Sequence, residues 1–279
     1  MRIMITGARG QVGRALQEAL VGHDLILANR PELDISQRQP VQIAVQSARP
    51  DLVIHSAAYT NVDDCARQPA FAYQVNGLGA QNVALACRAV DAALLYVSTN
   101  EVFSGDNPAG YDEWDPLCPI NAYGRSKAAG EFYVRSLLSR CYIVRTAWVF
   151  AAGGRNFIHA ILDRARRTGQ VQVVTDEIGN PTYAADLAAA IAQLIGSEQY
   201  GVYHLVNQGA CSRWAFAAEI LRQAGLAQAR NAPILSSQFP RASTPPRFGA
   251  LHNNAAAALG ITLRPWQEAL ADYLAQSAP

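Results

Sequence analysis

The sequence has no long apolar run and no surplus of either charge, and both absences narrow its possible functions. No apolar stretch reaches the roughly 20 residues that a membrane-spanning helix requires. Lysine and arginine together number 23, against 22 aspartate and glutamate residues, which gives a net charge of +1. This balance favours neither nucleic acid nor an anionic membrane surface as a partner. The first strand is expected to begin at Arg2, which leaves no room for a signal peptide.

Cysteine is scarce and widely spaced. The five cysteines are an odd number and contain no Cys-x-x-Cys pair, so we interpret them as reduced, mostly buried thiols of a cytoplasmic protein. The five histidines show no metal-ligand spacing, and we expect all of them to be structural.

Apolar segments that alternate with helical patterns fill the first half of the chain. Of its 279 residues, 50% are hydrophobic, which is enough for a sizeable core. Strands are expected over 2–6, 24–29, 51–55, 93–98 and 141–147, and helices over 11–21, 37–48, 79–91 and 123–139. Strands that are apolar throughout and separated by helices indicate a parallel sheet covered on both faces. The prediction is an α/β, doubly wound, Rossmann-like fold.

The alternation loosens beyond Trp148. Helices are expected over 156–168, 184–195, 212–224 and 265–275, strands over 171–174 and 202–205, and a long ordered loop over the Pro-rich segment 232–253. We therefore expect a dinucleotide-binding domain over 1–150 that carries the catalytic residues. Residues 151–279 are expected to form mainly a smaller C-terminal substrate-binding lobe, with some elements returning to the sheet.

Three glycines follow the first predicted strand and open the first predicted helix. Gly7, Gly10 and Gly13 are spaced G-x-x-G-x-x-G, rather than the G-x-G-x-x-G of many dehydrogenases. Such a turn lets the backbone approach a pyrophosphate, while the helix N-terminus points its free N–H groups at that anion. The position of these glycines predicts a dinucleotide site, and the alternative is an ordinary turn.

The end of the second predicted strand bears on the choice of cofactor. An acidic residue there would hold the ribose 2′-hydroxyl of NAD, but this chain has Asn29 followed by Arg30. Because a guanidinium suits a phosphate, the pair favours NADPH over NADH. The alternative is a solvated loop arginine.

Tyr123 and Lys127 lie four positions apart and therefore on one face of a predicted helix. A free tyrosine has a pKa of about 10, and a nearby ammonium lowers it. In a reduction, hydride would pass from the nicotinamide to a carbonyl carbon while Tyr123 gives its proton to the oxygen. We expect Thr99, at the end of the fourth strand, to align that oxygen, and Lys127 to hold the nicotinamide ribose. A chance Tyr-x-x-x-Lys pair is the alternative.

The glycine loop, Ser98-Thr99 and Tyr123-x-x-x-Lys127 together resemble the extended short-chain dehydrogenase/reductase family. Within it the chain is similar to the dTDP-4-dehydrorhamnose reductases, with matching stretches at 49–51, 57–63, 145–150, 156–157, 179–182 and 201–205. The resemblance implies NAD(P)H-dependent reduction of the 4-keto group of a dTDP-linked deoxysugar, for dTDP-L-rhamnose and polysaccharide biosynthesis. The implied partner is a nucleotide-sugar substrate, with no nucleic acid and no membrane, and the chain is expected to be a monomer or weak homodimer.

The resemblance also implies contacts by position. Together with Gly7 and Arg30, the expected cofactor-binding residues are Gly10, Gln11, Val12, Asn29, Asp34, Ile35, Ala58, Tyr59, Thr60, Tyr123 and Lys127. The expected substrate contacts are Thr99, Asn100 and Trp148, and the expected catalytic residues are Thr99, Tyr123 and Lys127. For Trp148, a core tryptophan is the alternative to stacking on the substrate.

The chain departs from the family pattern at two places. The family usually has Asp-Tyr after the threonine, where this chain has Asn100-Glu101, so the sugar could be a deoxyhexose other than the precursor of rhamnose. We favour a salt-bridged loop residue over a general acid or base for Glu101. Some members pair through a metal held by acidic residues, but Ala15 and Gln267 stand at the matching places, so we expect no metal.

Two further groups of polar residues can be interpreted from the sequence. Arg241 and Arg247, in the Pro-rich segment, either clamp a diphosphate or belong to a solvated loop. The acidic residues around Trp114, which include Glu113, predict an exposed turn before the catalytic helix.

Two other functions fit parts of the sequence. A nucleotide-sugar epimerase or 4,6-dehydratase would use the same fold, but the amide of Asn100 cannot supply the proton that expels a hydroxyl. A non-catalytic NAD(P)-binding regulatory subunit, like that of methionine adenosyltransferase, is the other, and the intact Thr99, Tyr123 and Lys127 argue against it. An apolar C-terminal tail would favour it, but residues 276–279 are short and ordinary in composition.

Overall fold

The computed structural model describes residues 1–152 and 156–276. Its strands are β1 (Arg2–Thr6), β2 (Asp24–Ala28), β3 (Leu52–His55), β4 (Ala93–Thr99), β5 (Cys141–Thr146), β6 (Val149–Phe150), β7 (Gln170–Val174), β8 (Ile178–Gly179), β9 (Thr182–Tyr183), β10 (Gly201–His204), β11 (Cys211–Ser212) and β12 (Arg230–Ile234). Its α-helices are α1 (Gln11–Ala19), α2 (Arg38–Ala48), α3 (Val62–Arg67), α4 (Pro69–Ala72), α5 (Gly79–Ala89), α6 (Ala122–Leu137), α7 (Phe157–Thr168), α8 (Ala184–Ser197), α9 (Arg213–Gln223), α10 (Asn254–Ala258) and α11 (Trp266–Gln276). A π-helical segment, Tyr73–Leu78, joins α4 to α5.

A parallel sheet lies at the centre, and within the described residues it has six strands in the order β10-β5-β4-β3-β1-β2. The chain adds β2 on one side of β1 and β3 on the other. This reversal of strand order opens a crevice at the carboxyl ends of the strands, where ligands of such sheets bind. The predicted α/β, doubly wound, Rossmann-like fold is confirmed.

Alternation along each strand explains why the strands are apolar throughout. Ile3 and Ile5 point to one face of the sheet, which α1 and α8 cover, whereas Met4 points to the other face with α2 and α5. Successive side chains of a strand face opposite sides, and here both sides are buried. The helices on the two faces therefore fix the strands and leave the carboxyl edge of the sheet open.

The second half of the chain contains elements that sequence patterning did not reveal. Residues 230–234 form β12, which pairs in parallel with β7, although 232–253 was predicted to be a loop. Pro233 fits there because β12 pairs with β7 alone among the described strands, so its missing N–H is not needed by a second neighbour. The α3–α4–π segment was also missed, because it is short and its apolar residues follow no single period.

Glu113 was expected in an exposed turn, but the structure contradicts this. It is 8% exposed, and its Oε1 accepts backbone N–H bonds from His204 at 3.2 Å and Ala255 at 3.0 Å. These bonds compensate Oε1 for lost water, whereas Oε2 is buried and has no hydrogen-bond partner among the described residues. Glu113 therefore ties the first half of the chain to β10 and α10.

Two further findings concern the described residues as a set. None of their helices is long and apolar enough to cross a membrane. In the same part of the chain, no group of three or more His, Cys, Asp or Glu side chains is arranged to hold a metal ion. Residues 153–155 and 277–279, which include most of the C-terminal tail considered above, lie outside the described residues.

Candidate active site

A cleft of about 770 Å³ opens at the carboxyl edge of the sheet. Its walls bring together all the residues predicted to bind cofactor or substrate: Gly7, Gly10, Gln11, Val12, Asn29, Arg30, Asp34, Ile35, Ala58, Tyr59, Thr60, Thr99, Asn100, Tyr123, Lys127 and Trp148. The cleft also contains Glu101, which the family pattern places with Asn100 in the sugar pocket, and Arg9 and Arg213, to which the sequence had assigned no role in binding.

The glycine loop has the geometry of a phosphate cradle. Gly7 has a φ of +72°, and a Cβ there would lie 2.7 Å from the Cα of Ala57. A Cβ on Gly13 would lie 2.3 Å from the carbonyl oxygen of Gly7. No side chain caps α1, so the N–H groups of its first turn are free to bind an anion. The loop therefore fits the pyrophosphate of a dinucleotide.

Two arginines border the far end of the cleft. Asn29 Oδ1 accepts the backbone N–H of Arg9 at 2.7 Å, which fastens the glycine loop to the end of β2. Arg30 Nε lies 3.7 Å from Asp34 Oδ2, and Arg9 forms an ion pair with Glu32 at 3.2 Å. The guanidinium of Arg30 is 68% exposed and so remains accessible to a ligand.

Tyr123 is in a different electrostatic environment from the one expected. Burial raises the pKa of Tyr123, and the charge of Glu101 raises it further, while a hydrogen bond with Thr99 lowers it. The expectation that Lys127 lowers this pKa is wrong in this structure. The phenol, next to Thr99, therefore keeps its proton at neutral pH.

Lys127 directs its ammonium into the protein interior. Its Nζ donates to the carbonyl oxygen of Val97 at 2.7 Å and lies 4.0 Å from the centroid of the Tyr96 ring. Burial lowers the pKa of Lys127 to about 7, with the carboxylate of Glu131 acting in the opposite direction. A single carbonyl partner leaves further N–H donors of the ammonium for a ligand.

Ser98, the residue before Thr99, has a structural contact and does not face a ligand site alone. Ser98 Oγ donates to Glu131 Oε1 at 2.6 Å, and Glu131 forms a buried ion pair with Arg145 at 2.8 Å. The network lies under β4 and holds the strand end in place. Thr99 Oγ1 accepts the backbone N–H of Glu101 at 3.2 Å and starts the following turn.

Asn100 connects the cleft to a distant loop. Its Nδ2 donates to the carbonyl oxygen of Gly249 at 3.0 Å, and its Oδ1 accepts from Thr99 at 3.3 Å. A Cβ on Gly249 would come within 2.4 Å of this amide nitrogen, so the approach requires glycine. Both ends of the amide are thus engaged with the protein.

Trp148 lies between the cleft and an adjoining recess of about 110 Å³. The guanidinium of Arg213 stacks on its ring at 3.6 Å from the centroid. On Gly179, a Cβ would lie 2.6 Å from the ring, so a side chain there would displace it. Trp148 is half-buried, with part of its ring packed against the core and part lining the cleft.

Arginines also line the recess. Arg213 and Arg241 both face it and share Glu177 as an ion-pair partner. Arg247, the other arginine considered for a diphosphate clamp, lies over the ring of Phe248 and lines neither cavity. Sequence patterning missed Arg213 because a single arginine after the helix cap Ser212 carries no periodic or motif signal.

Glu101 was expected to be a salt-bridged loop residue, and this expectation is wrong. Its Oε2 accepts from the amide of Asn121 at 2.6 Å. Among the described residues, no cation forms an ion pair with it. Burial raises the pKa of Glu101, against the Asn121 hydrogen bond and the more distant charge of Arg213.

Comparison with known proteins gives a consistent result. The model of the RmlD substrate binding domain family matches residues 1–278. A dTDP-4-dehydrorhamnose reductase of Mycolicibacterium smegmatis is 39% identical, covering 98% of this chain and 85% of that protein. The spore coat polysaccharide biosynthesis protein SpsK of Bacillus subtilis is 36% identical over 98% of this chain and 96% of its own. The crystal structure of a Bacillus anthracis dTDP-4-dehydrorhamnose reductase in complex with NADP superimposes with a TM-score of 0.95, at 40% identity and 99% coverage of both chains.

Proposed function

We propose that this chain, which belongs to the RmlD substrate binding domain family, reduces the 4-keto group of a dTDP-linked deoxysugar with NADPH, as in dTDP-L-rhamnose biosynthesis. The observation that carries the proposal is the pairing of Thr99 with a protonated Tyr123 in the cleft that the glycine cradle opens. The names of the relatives and the NADP bound to the Bacillus anthracis enzyme support it.

Tyr123 is the proton donor in this proposal. The reduced nicotinamide, when bound, supplies the hydride. Because the phenol is protonated at neutral pH, it can donate a hydrogen bond to the keto oxygen and then its proton as negative charge develops there. Thr99 orients the same oxygen, and Lys127 has ammonium N–H groups free to hold a ribose.

NADPH is the proposed cofactor, with NADH as the weaker one. The cradle formed by Gly7, Gly10 and Gly13 would hold the pyrophosphate. Arg30, together with Arg9, provides guanidinium groups at the end of the cleft where a 2′-phosphate would lie. The remaining predicted contacts follow from their places on the cleft wall: Gln11, Val12, Asn29, Asp34, Ile35, Ala58, Tyr59 and Thr60.

The nucleotide sugar is proposed to enter from the side of Trp148. Arg213 and Arg241 supply positive charge for a diphosphate, and the Trp148 ring offers a flat apolar surface for a sugar or base. Residues 1–150 would then hold the dinucleotide, and 151–279 would mainly shape the substrate side.

The free Cys65, Cys87 and Cys141 are buried, which is consistent with a cytoplasmic protein. We propose a monomer or weak homodimer, which sedimentation would test.

The test is the absorbance of reduced nicotinamide. Purified protein is mixed with NADPH or NADH and a freshly generated dTDP-4-keto-6-deoxy sugar, with a reaction lacking sugar as control. Prompt oxidation that needs the sugar and is faster with NADPH is the expected result. Cofactor binding without oxidation of any such sugar would overturn the proposal in favour of a binding subunit, and tightly retained NAD would favour an epimerase.

A further inference from the structure

Glu101 is a carboxylic acid in the wall of the reduction site, and the proposed reduction has no use for it. It lines both the main cleft and the adjoining recess. Its Oε2 is held at 2.6 Å by Asn121 Nδ2, and Asn121 is the N-cap of α6, the helix that carries Tyr123. The carboxyl group and the proton-donating phenol are therefore fixed at the same end of one helix.

The two oxygens of this carboxyl group differ in their surroundings. Oε2 takes the amide hydrogen bond, whereas within the described residues Oε1 receives none and is not sealed in the core. The carboxylate lies near enough to Tyr123 for its charge to raise the pKa of the phenol. A free oxygen of a base thus stands beside the group that binds the keto oxygen.

A base beside a hydrogen-bond donor suits a reaction of ketones other than reduction, the loss of a proton from the carbon next to the carbonyl. A carbon next to a carbonyl loses a proton readily when the oxygen is hydrogen-bonded, because negative charge then moves onto that oxygen. A positioned carboxylate is a suitable base when an acidic donor faces the oxygen, as in ketosteroid isomerase. Tyr123 provides the donor here, and Glu101 provides the base.

We infer that Glu101 exchanges the C–H proton next to the keto group of the bound sugar with solvent, an activity separate from hydride transfer. The inference rests on the proposed function, because it needs the 4-keto sugar in this cleft. The carboxylate takes the proton, the C–H electron pair becomes the carbon–carbon double bond of an enolate, and the carbonyl electrons move to oxygen. A solvent-derived proton on Glu101 then returns to the same face. The cycle is redox-neutral and inverts no centre.

Deuterium uptake tests the inference. The wild-type protein is incubated in D₂O with NADP⁺ and a dTDP-4-keto sugar that it reduces in a parallel assay with NADPH. Mass spectrometry and proton NMR should show deuterium at a carbon next to the keto group, entering faster than without protein. Glu101→Gln keeps an acceptor for Asn121 but is not basic, so the exchange rate should fall by about 10²-fold or more. Glu101→Asp should restore part of it.

Controls separate chemistry from misfolding. Glu219→Gln changes a glutamate of α9 outside both cavities and should exchange like the wild type. The melting temperature and NADPH affinity of Glu101→Gln show whether that variant is folded. The absence of protein-dependent exchange in a wild type that reduces the same sugar would overturn the inference and leave the reduction standing. Undiminished exchange in folded Glu101→Gln would also overturn it, whereas failure to reduce any dTDP-4-keto sugar removes the proposed function and this inference together.

Discussion

Burial sets the chemical state of single side chains in this site more than their neighbours in sequence do. Lys127 lies one helical turn from Tyr123, yet its ammonium bonds to the carbonyl of Val97 and does not lower the pKa of the phenol. Burial instead raises the pKa of Tyr123 and lowers that of Lys127 to about 7. Each group is thereby shifted toward its neutral form, which for Tyr123 is the protonated form that a proton donor needs.

The first residue-scale prediction concerns Tyr123, the proposed proton donor. Tyr123→Phe removes the hydroxyl and keeps the ring, so NADPH affinity should stay within about twofold while kcat falls by about 10²–10⁴-fold. Stopped-flow absorbance measures kcat, and fluorescence titration measures the affinity. An unchanged kcat would show that another group donates the proton.

The second residue-scale prediction concerns Arg30. Arg30→Ala should weaken NADPH binding by about tenfold and spare NADH, because only NADPH carries the 2′-phosphate. Arg167→Ala is the matched control: like Arg30, Arg167 is about two-thirds exposed and pairs with an aspartate four positions away. It should leave both affinities unchanged. If Arg30→Ala weakened the affinity for NADPH and for NADH equally, Arg30 would not bind the 2′-phosphate.

Close backbone approaches position the elements around the cleft. Helix α6 begins against the turn that follows β4, and a Cβ on Gly124 would lie 2.0 Å from the carbonyl oxygen of Glu101. The Tyr123 side of α6 therefore reaches Thr99 only because the residue after the tyrosine has no side chain. The same requirement for glycine recurs at Gly13, where α1 meets the loop below it.

An element-scale prediction follows for helical glycines. Gly124→Ala must push α6 away from the turn, so we expect a loss of about 1–3 kcal/mol in unfolding free energy and a marked fall in kcat/KM. Gly196→Ala, in α8, places its methyl where no atom lies within 4 Å, and should stabilise by about 0.5–1 kcal/mol. Urea denaturation and steady-state kinetics of the two variants check this. Equal changes in unfolding free energy and kcat/KM in the two variants would show that the close approach of Gly124 to the carbonyl oxygen of Glu101 is not needed.

At the scale of the whole molecule, the two faces of the sheet enclose polar groups as well as apolar ones. His55, 1% exposed, hydrogen-bonds Thr6 at 2.6 Å, and burial lowers its pKa to about 3. His204 is fully buried, and burial together with the charge of Arg145 lowers its pKa to about 3 as well. Both imidazoles are therefore neutral in the folded chain at any pH near neutrality.

The two buried histidines should make the stability of the folded chain sensitive to acid. Their pKa of about 3 in the folded chain lies below the ordinary histidine value of 6.5, so below pH 6.5 the unfolded chain binds protons that the folded chain does not. Stability is therefore lost as pH falls through this window, by up to about 1.4 kcal/mol per pH unit for each histidine. His55→Asn should lose less stability than wild type between about pH 7 and about pH 5 in urea titrations. His23→Asn, at a partly exposed site, should lose as much stability over this pH range as the wild type. If His55→Asn also lost as much as the wild type, burial of a neutral His55 would not be a source of the acid sensitivity.

The pattern of the sequence was sufficient for the fold and for much of the site. Strands β1 to β5 were predicted within two residues of their observed ends, because strands buried on both faces are apolar throughout. The predicted cofactor and substrate residues all reach one cleft, since they follow carboxyl ends of parallel strands or lie on α6. Their individual roles stay predictions. Segments without one clear period, such as α3 and β12, gave no such signal.

The sequence by itself determined the order of strands and helices, the glycine cradle and the Tyr123–Lys127 spacing, because these depend on local periodicity and backbone freedom. Only the tertiary structure decided the charge states and the long-range neighbours. Three contacts join residues up to 149 positions apart: the stacking of Arg213 on Trp148, and the hydrogen bonds of Glu101 with Asn121 and of Asn100 with Gly249. Burial and pKa depend on what surrounds a group in space, and no local pattern in the chain records which distant segments will provide those surroundings.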